Sequence, residues 1–184
     1  LSFVRYIRAG RREVDNADML DTYFAVCKEM GLAKPLPLYQ NSLVASPRLV
    51  GMLRPGIILP ELDVDEESLQ MVLRHELIHH RRRDILYKWL VQLALCLHWF
   101  NPVVYLVNRE VDRSCELSCD EAVIRHMEET ERRRYGDTLL ATAKTGGAYS
   151  GTVASITMSE DGRNLKERLR AILEHHSGNA LSRA

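Results

Sequence analysis

The sequence predicts an α+β domain that is mostly helical, with a small antiparallel sheet ahead of the helix that carries the motif HELIH. Two observations predict this class. Residues 35–60 are rich in proline, leucine and β-branched residues in short alternating runs, which is typical of strands joined by tight turns. From residue 65 onward, capping residues and a proline suited to a first helical turn separate long helices. Because the chain has 184 residues, 46% of them hydrophobic, we expect one domain over residues 1–184.

The boundary residues place each element in order. Asn16 or Asp15 caps a first helix through MLDTYFAVCKEM, which stops at Gly31. Two or three short strands follow and end at Pro60. The predicted helices after the strands cover residues 65–82, 84–99, 102–127, 130–145 and 165–175, with breaks at Asp84 and at Asn101-Pro102.

Charge and cysteine content exclude some classes of function. The 25 basic and 25 acidic residues give a formal net charge of zero, so no overall field attracts nucleic acid, and we expect no direct nucleic-acid partner. The cysteines form no CxxC pair, which indicates reduced thiols rather than a disulfide framework or a zinc ribbon. These cysteines are Cys27, Cys96, Cys115 and Cys119.

Two segments bear on membrane contact. The apolar run from Ile85 to Phe100 is shorter than the ~18 residues of a membrane span and contains Lys88, so we expect a buried or membrane-facing helix. Residues 1–12 carry four arginines after an apolar start, as on the cytoplasmic side of a span. No signal-peptide pattern is present in the sequence.

The motif HELIH at residues 75–79 carries the candidate chemistry. Residues four apart share one face of a helix, so His75 and His79 can present two imidazole nitrogens to one metal ion. Glu76 lies beside the open coordination position, where its carboxylate can take a proton from metal-bound water. The alternative interpretation is a solvated helix with paired charges.

A catalytic zinc site needs a third protein ligand, and the segment RSCELSCDE at residues 113–121 offers several. Glu116 and Asp120 are four apart, so one can bind the metal while the other accepts the outer N–H of a ligating histidine. Cys115 and Cys119 have the same spacing and stay open as ligands. Glu116 is favoured over either thiol because a reactive water suits a site of two histidines and one glutamate.

Four segments carry a resemblance to a known family: SPRLVGMLRPGIILP, HELIHHRRRD, LHWFNP and CELSCDEAV. Over residues 46–123 the chain resembles the BlaR/MecR-type antirepressor metallopeptidases, membrane-bound signal transducers whose zinc-protease domain faces the cytoplasm. The resemblance implies a gluzincin-like fold with Zn²⁺ as cofactor. It also implies the site: metal ligands His75, His79 and Glu116, catalytic base Glu76, and Asp120 as the partner of a ligating histidine.

The resemblance also implies the function and its setting. We expect a zinc endopeptidase at the cell membrane, on its cytoplasmic side, that cleaves a transcriptional repressor, itself, or both, in a response of the antibiotic-resistance type. Members have membrane helices before and after this domain, so residues 1–12 and 165–184 are interpreted as leading from and toward such helices. Two alternatives stay open: a zinc-binding regulatory signalling domain without proteolytic activity, and a nucleic-acid-binding module built around the arginine run.

Three further expectations concern the substrate. We expect it to lie extended along a strand edge, for which Val50–Leu59 is the candidate. The basic patch of Arg74 and residues 81–83 is either solvated or in contact with anionic lipid headgroups. Residues 145–164 are a candidate self-processing site. The candidate donors to the oxyanion are Tyr105, His98 and Arg113.

Overall fold

A small sheet and one helix precede five further helices, so the predicted α+β class is confirmed. The computed structural model describes residues 10–42, 44, 46–51, 53–61, 65–148 and 162–175. Parts of three predicted segments lie outside the described residues: residues 1–9, 149–161 and 176–184. The strands are β1 (Arg12–Glu13), β2 (Leu38–Gln40), β3 (Arg48–Val50) and β4 (Gly56–Leu59). The helices are α1 (Ala17–Glu29), α2 (Glu66–Arg82), α3 (Asp84–Leu97), α4 (Pro102–Ile124), α5 (Glu129–Ala148) and α6 (Gly162–Glu174).

The sheet has the strand order β1-β2-β4-β3. Strands β1 and β2 are antiparallel, as are β3 and β4, but β2 and β4 are parallel, so the prediction of an antiparallel sheet was wrong for this central pair. A tight turn after β3 brings β4 back beside it, and β4 then lies between β3 and β2. Gly51 allows this turn because its φ is +93°, and a Cβ there would lie 2.4 Å from the Arg54 carbonyl oxygen.

The helix α2 is held between two hydrophobic clusters. The Asp65 side chain caps its start by accepting from the Ser68 N–H, and Arg83 ends it with a left-handed φ of 59°. The side chains of Leu73 and Leu77 are fully buried in a cluster with the sheet and α1. The opposite face contributes Met71 and Ile78 to a cluster with α4, α5 and α6. The motif helix is therefore fixed on two sides by packing.

Tyr23 in α1 is the main polar anchor of the first cluster. Its hydroxyl donates to the Leu36 carbonyl oxygen at 2.9 Å and accepts from the Leu36 N–H at 2.8 Å, while the side chain is almost fully buried. Both bonds tie α1 to the segment that leads into β2.

We expect Tyr23→Phe to lower the free energy of unfolding by about 2 kcal/mol, because both backbone groups of Leu36 lose their partner. Urea denaturation followed by circular dichroism measures this change. The control is Phe24→Leu, on the exposed face of the same helix, with an expected change within about 0.5 kcal/mol. An equal effect of the two changes would contradict the role of the hydroxyl.

None of the helices in the described ranges is long and apolar enough to cross a membrane.

Candidate metal centre

The two histidines of the motif face the same volume. Helix α2 places His75 and His79 one turn apart, with their Nε2 atoms 3.1 Å from each other and the ring planes nearly perpendicular. Their side chains are 12% and 11% exposed, so both are mostly buried but stay partly accessible to water. The pair therefore offers two nitrogen ligands toward one partly open position.

The outer nitrogen of His79 is held by Asp84. The Nδ1 atom lies 2.7 Å from Asp84 Oδ2, and Asp84 is buried at the first position of α3, directly after the left-handed residue Arg83. Because a carboxylate only accepts, Nδ1 donates, and in the neutral ring the lone pair is then on Nε2, which faces the site. The sequence interpretation used Asp84 only as a helix boundary and missed this contact. Its position five residues after His79 was the available signal.

The outer nitrogen of His75 is held by a relay of polar side chains. The Nδ1 atom lies 2.9 Å from the Tyr135 oxygen and 3.3 Å from Asp120 Oδ1. The Tyr135 hydroxyl donates to Asp120 at 2.6 Å, so its oxygen accepts from the histidine. Arg168 in α6 donates to both carboxylate oxygens of Asp120, at 2.6 and 2.8 Å. Asp120, the predicted partner of a ligating histidine, thus lies near His75, whereas Tyr135 and Arg168 were not predicted.

The Glu116 carboxylate lies opposite the two rings. Its Oε2 is 3.5 Å from His75 Nε2, and its Oε1 is 3.7 Å from His79 Nε2. Neighbouring ligands of a tetrahedral zinc ion with bonds of ~2.0 Å are about 3.3 Å apart, so the three groups fit such an ion. Burial would raise the pKa of Glu116, but hydrogen bonds to the two histidines outweigh it and lower the pKa well below its ordinary value.

Cys119 forms a second candidate group with the same histidines. One ligand atom each from His75, His79 and Cys119 lie within 4.8 Å of one another. The Cys119 thiol is fully buried and donates to the His75 carbonyl oxygen at 3.2 Å. Burial would raise its pKa, but the charge of His75 outweighs it, and the pKa is lowered. Cys115, the other thiol left open by the sequence, belongs to neither group.

Glu76 lies between the histidines and the sheet. It is 8% exposed, and its Oε2 accepts from the Leu49 N–H of β3 at 2.7 Å. The neighbouring Arg48 has a buried Nε without a hydrogen-bond partner among the described residues. Burial lowers the pKa of Arg48, while the charges of Glu76 and Glu116 act in the opposite direction. A guanidinium group with an unused donor therefore lies near both carboxylates.

The strand edge next to the site is β3. Strand β4 has a bonded neighbour on each side and is completely buried, so the predicted edge Val50–Leu59 is wrong for all of β4. In the described sheet β3 pairs with β4 alone, and its outer side is the one that reaches Glu76 through Leu49.

Two of the three predicted oxyanion donors are engaged elsewhere. The Tyr105 hydroxyl donates to the Trp99 carbonyl oxygen at 2.7 Å. Arg113 binds Glu167 and Glu110 at 2.6 and 2.7 Å. Arg48 was not among the predicted donors. The one feature of the sequence that could have indicated it is its position on a strand just ahead of the motif helix.

Sequence comparisons identify known proteins that are similar to this chain. A protein-family model described as BlaR1 peptidase M56 matches residues 1–172. The chain is 27% identical to regulatory protein BlaR1 of Bacillus licheniformis over 181 residues, which are 97% of this chain and 30% of that protein. It is 26% identical to methicillin resistance mecR1 protein of Staphylococcus aureus over 147 residues, 78% of this chain and 25% of the relative. The chain thus spans less than a third of the length of these relatives.

Proposed function

The chain belongs to the BlaR1 peptidase M56 family, and we propose that it is the zinc-dependent endopeptidase domain of a membrane-bound signal transducer. The observation that carries the proposal is the convergence of His75, His79 and Glu116, whose facing atoms are 3.1 to 3.7 Å apart. Two of the relatives are named as a regulatory protein and a methicillin resistance protein. We propose a protein substrate on the cytoplasmic side of the membrane, either a transcriptional repressor or the protein itself.

The proposed ligands of the zinc ion are His75, His79 and Glu116. Asp84 would orient the ring of His79, and Tyr135 with Asp120 that of His75, so that both Nε2 atoms could bind the ion. When bound, zinc supplies a water of pKa about 7 and polarises the carbonyl group of the substrate. The 25% exposure of the Glu116 side chain supports a site that is open on the substrate side.

The proposed general base is Glu76. Its Oε2 is fixed by the Leu49 N–H, which leaves Oε1 to accept the proton of the attacking water. The protonated carboxyl group then gives that proton to the leaving amine. Arg48 is our candidate for the group that stabilises negative charge on the carbonyl oxygen, because its buried Nε has no partner among the described residues.

The proposed substrate path runs along the outer side of β3. A peptide that pairs with a strand edge gains main-chain hydrogen bonds without a requirement for one sequence. The Leu49 N–H on this edge already donates to Glu76 at 2.7 Å, so a pairing peptide would use the remaining main-chain groups of β3 and would lie beside Glu76.

A chelation experiment tests the function. The chain is loaded with one equivalent of zinc and incubated with β-casein, an unfolded protein that serves as a general peptidase substrate. We expect cleavage that a chelator abolishes and added zinc restores. Bound zinc without cleavage, in solution and with lipid vesicles, would instead favour the zinc-binding regulatory domain without proteolytic activity.

We expect Asp84→Asn to lower zinc affinity by about 10–100-fold, because the amide no longer holds His79 in the correct tautomer as a carboxylate does. Competition with a zinc-binding dye measures the affinity. The matched control is Asp21→Asn, an exposed carboxylate on α1 outside the site, which should bind zinc as the natural chain does. Equal affinities of the two variants would contradict the proposed role of Asp84.

A further inference from the structure

The helical hairpin formed by α3 and the first half of α4 carries most of the exposed large apolar side chains. Twelve of the fifteen large hydrophobic side chains that are exposed in the described ranges belong to residues 86–107; the others are Phe24, Leu53 and Leu173. Asp84 is the one buried residue of α3, and the buried residues of α4 begin only at Cys115. The hairpin therefore extends away from the packed clusters.

The distal part of this hairpin carries no formal charge. From Trp89 to Asn108 the sequence contains no Asp, Glu, Lys or Arg. The side chains of Leu97, Trp99 and Phe100 at the tip are 64%, 69% and 68% exposed. An apolar surface of this extent is typical of a site that a partner protein or a membrane covers.

We propose that the hairpin tip, residues 89–108, inserts into one leaflet of a lipid bilayer. The uncharged part of α3 from Trp89 to Leu97 is about 14 Å long at 1.5 Å per residue, and one leaflet of hydrocarbon is about 15 Å thick. The chain reverses direction at the tip, so it enters and leaves on the same side. Apolar side chains occur on both helices and on the turn. A lipid bilayer can cover all of these faces at the same time.

Several backbone groups of the turn already have partners, which lowers the cost of insertion into lipid. The His98 N–H bonds to the Ala94 carbonyl oxygen at 2.9 Å, and the Asn101 N–H bonds to the His98 carbonyl oxygen at 2.8 Å. The Asn101 side chain caps the Val103 N–H at 3.0 Å. The hydroxyl of Tyr105 donates to the carbonyl oxygen of Trp99, so two polar groups at the tip satisfy each other.

The base of the hairpin has the residues expected at headgroup depth. Residues 81–83 are three exposed arginines directly before α3, and Lys88 and Arg109 bound the uncharged part. Tyr87 and Trp89 lie at the same level, where aromatic rings prefer the interface between lipid and water. Anionic headgroups are the complementary surface. Because α2 ends at this base, the metal centre would lie close to the membrane surface.

Fluorescence of the two tryptophans tests the proposal, because both lie in the hairpin. Trp89→Phe and Trp99→Phe each leave one reporter. With vesicles of three parts phosphatidylcholine and one part phosphatidylglycerol, we expect both emissions to shift to shorter wavelength. Lipids brominated near the chain ends should quench Trp99 more strongly, and lipids brominated near the headgroup should quench Trp89 more strongly.

Vesicle flotation is the second test of the proposed insertion. We expect the double change Leu97→Glu and Phe100→Glu to reduce partition into these vesicles on the order of 100-fold, because charged side chains are costly in hydrocarbon. The matched control is Leu53→Glu, which is 88% exposed outside the hairpin and should float as the natural chain does. Circular dichroism and zinc content should be the same in all variants.

Two results would overturn the proposal. One is the absence of both flotation and an emission shift with the natural chain. The other is a lipid-independent emission shift that grows with protein concentration, which would assign the surface to a second copy of the chain. Zinc binding and casein cleavage are measured separately, and the insertion does not rest on the peptidase chemistry, so either proposal can fail alone.

Discussion

Replacement of Glu76 with glutamine is expected to abolish peptide cleavage and to leave the zinc content unchanged. The amide has the shape of the carboxylate and its oxygen can still accept from the Leu49 N–H, so the site should keep its packing. It cannot accept the proton of the attacking water. We therefore expect casein cleavage to fall about 1000-fold, within the range that general bases contribute.

The measurement compares cleavage rates and zinc content for the same protein sample. Glu121→Gln is the control, because Glu121 is an exposed carboxylate on α4 and should not affect either quantity. Activity of Glu76→Gln close to that of the natural chain would refute the proposed base. Loss of zinc together with activity would instead assign Glu76 to metal binding or to the stability of the site.

The sequence was sufficient for the parts of the site that lie on single helices. His75 and His79, or Glu116 and Asp120, are four residues apart, and the helical repeat alone places each pair on one face. Tyr135 and Arg168 come from helices that approach only in the folded chain, so their positions depend on packing that no local pattern encodes. Asp84 is the intermediate case, since it follows His79 closely but its contact needs the left-handed turn at Arg83.

The sheet and the hairpin show the same limit. Short alternating runs predict strands, but the parallel pairing of β2 with β4 depends on which strands are neighbours in the folded sheet. The two-residue strand β1 is too short to have a pattern and was not predicted. For α3 the sequence left a buried and a membrane-facing helix open, and within the described chain its large apolar side chains are exposed.

The identity of the third ligand is the other prediction with a large effect. Loss of a residue that hydrogen-bonds a metal ligand lowers metal affinity by roughly 10–100-fold, and we expect Glu116→Gln to lower zinc affinity by more than this. By contrast, Cys119→Ser should bind zinc as the natural chain does. The Cys119 thiol is fully buried and bonded to the His75 carbonyl oxygen, on the inner side of the rings. A catalytic ion needs an open position, and the partly exposed Glu116 lies on the side that can provide it.

Dye competition gives the zinc affinities, and cobalt substitution identifies the ligand atom directly. With Glu116 as the ligand, the cobalt-loaded chain has no thiolate-to-cobalt charge-transfer band, and Cys119→Ser leaves its spectrum unchanged. A strong charge-transfer band that disappears in Cys119→Ser would transfer the role to the thiol. The proposal that Glu76 is the general base would still hold in that case, because its contact with Leu49 does not involve either candidate ligand.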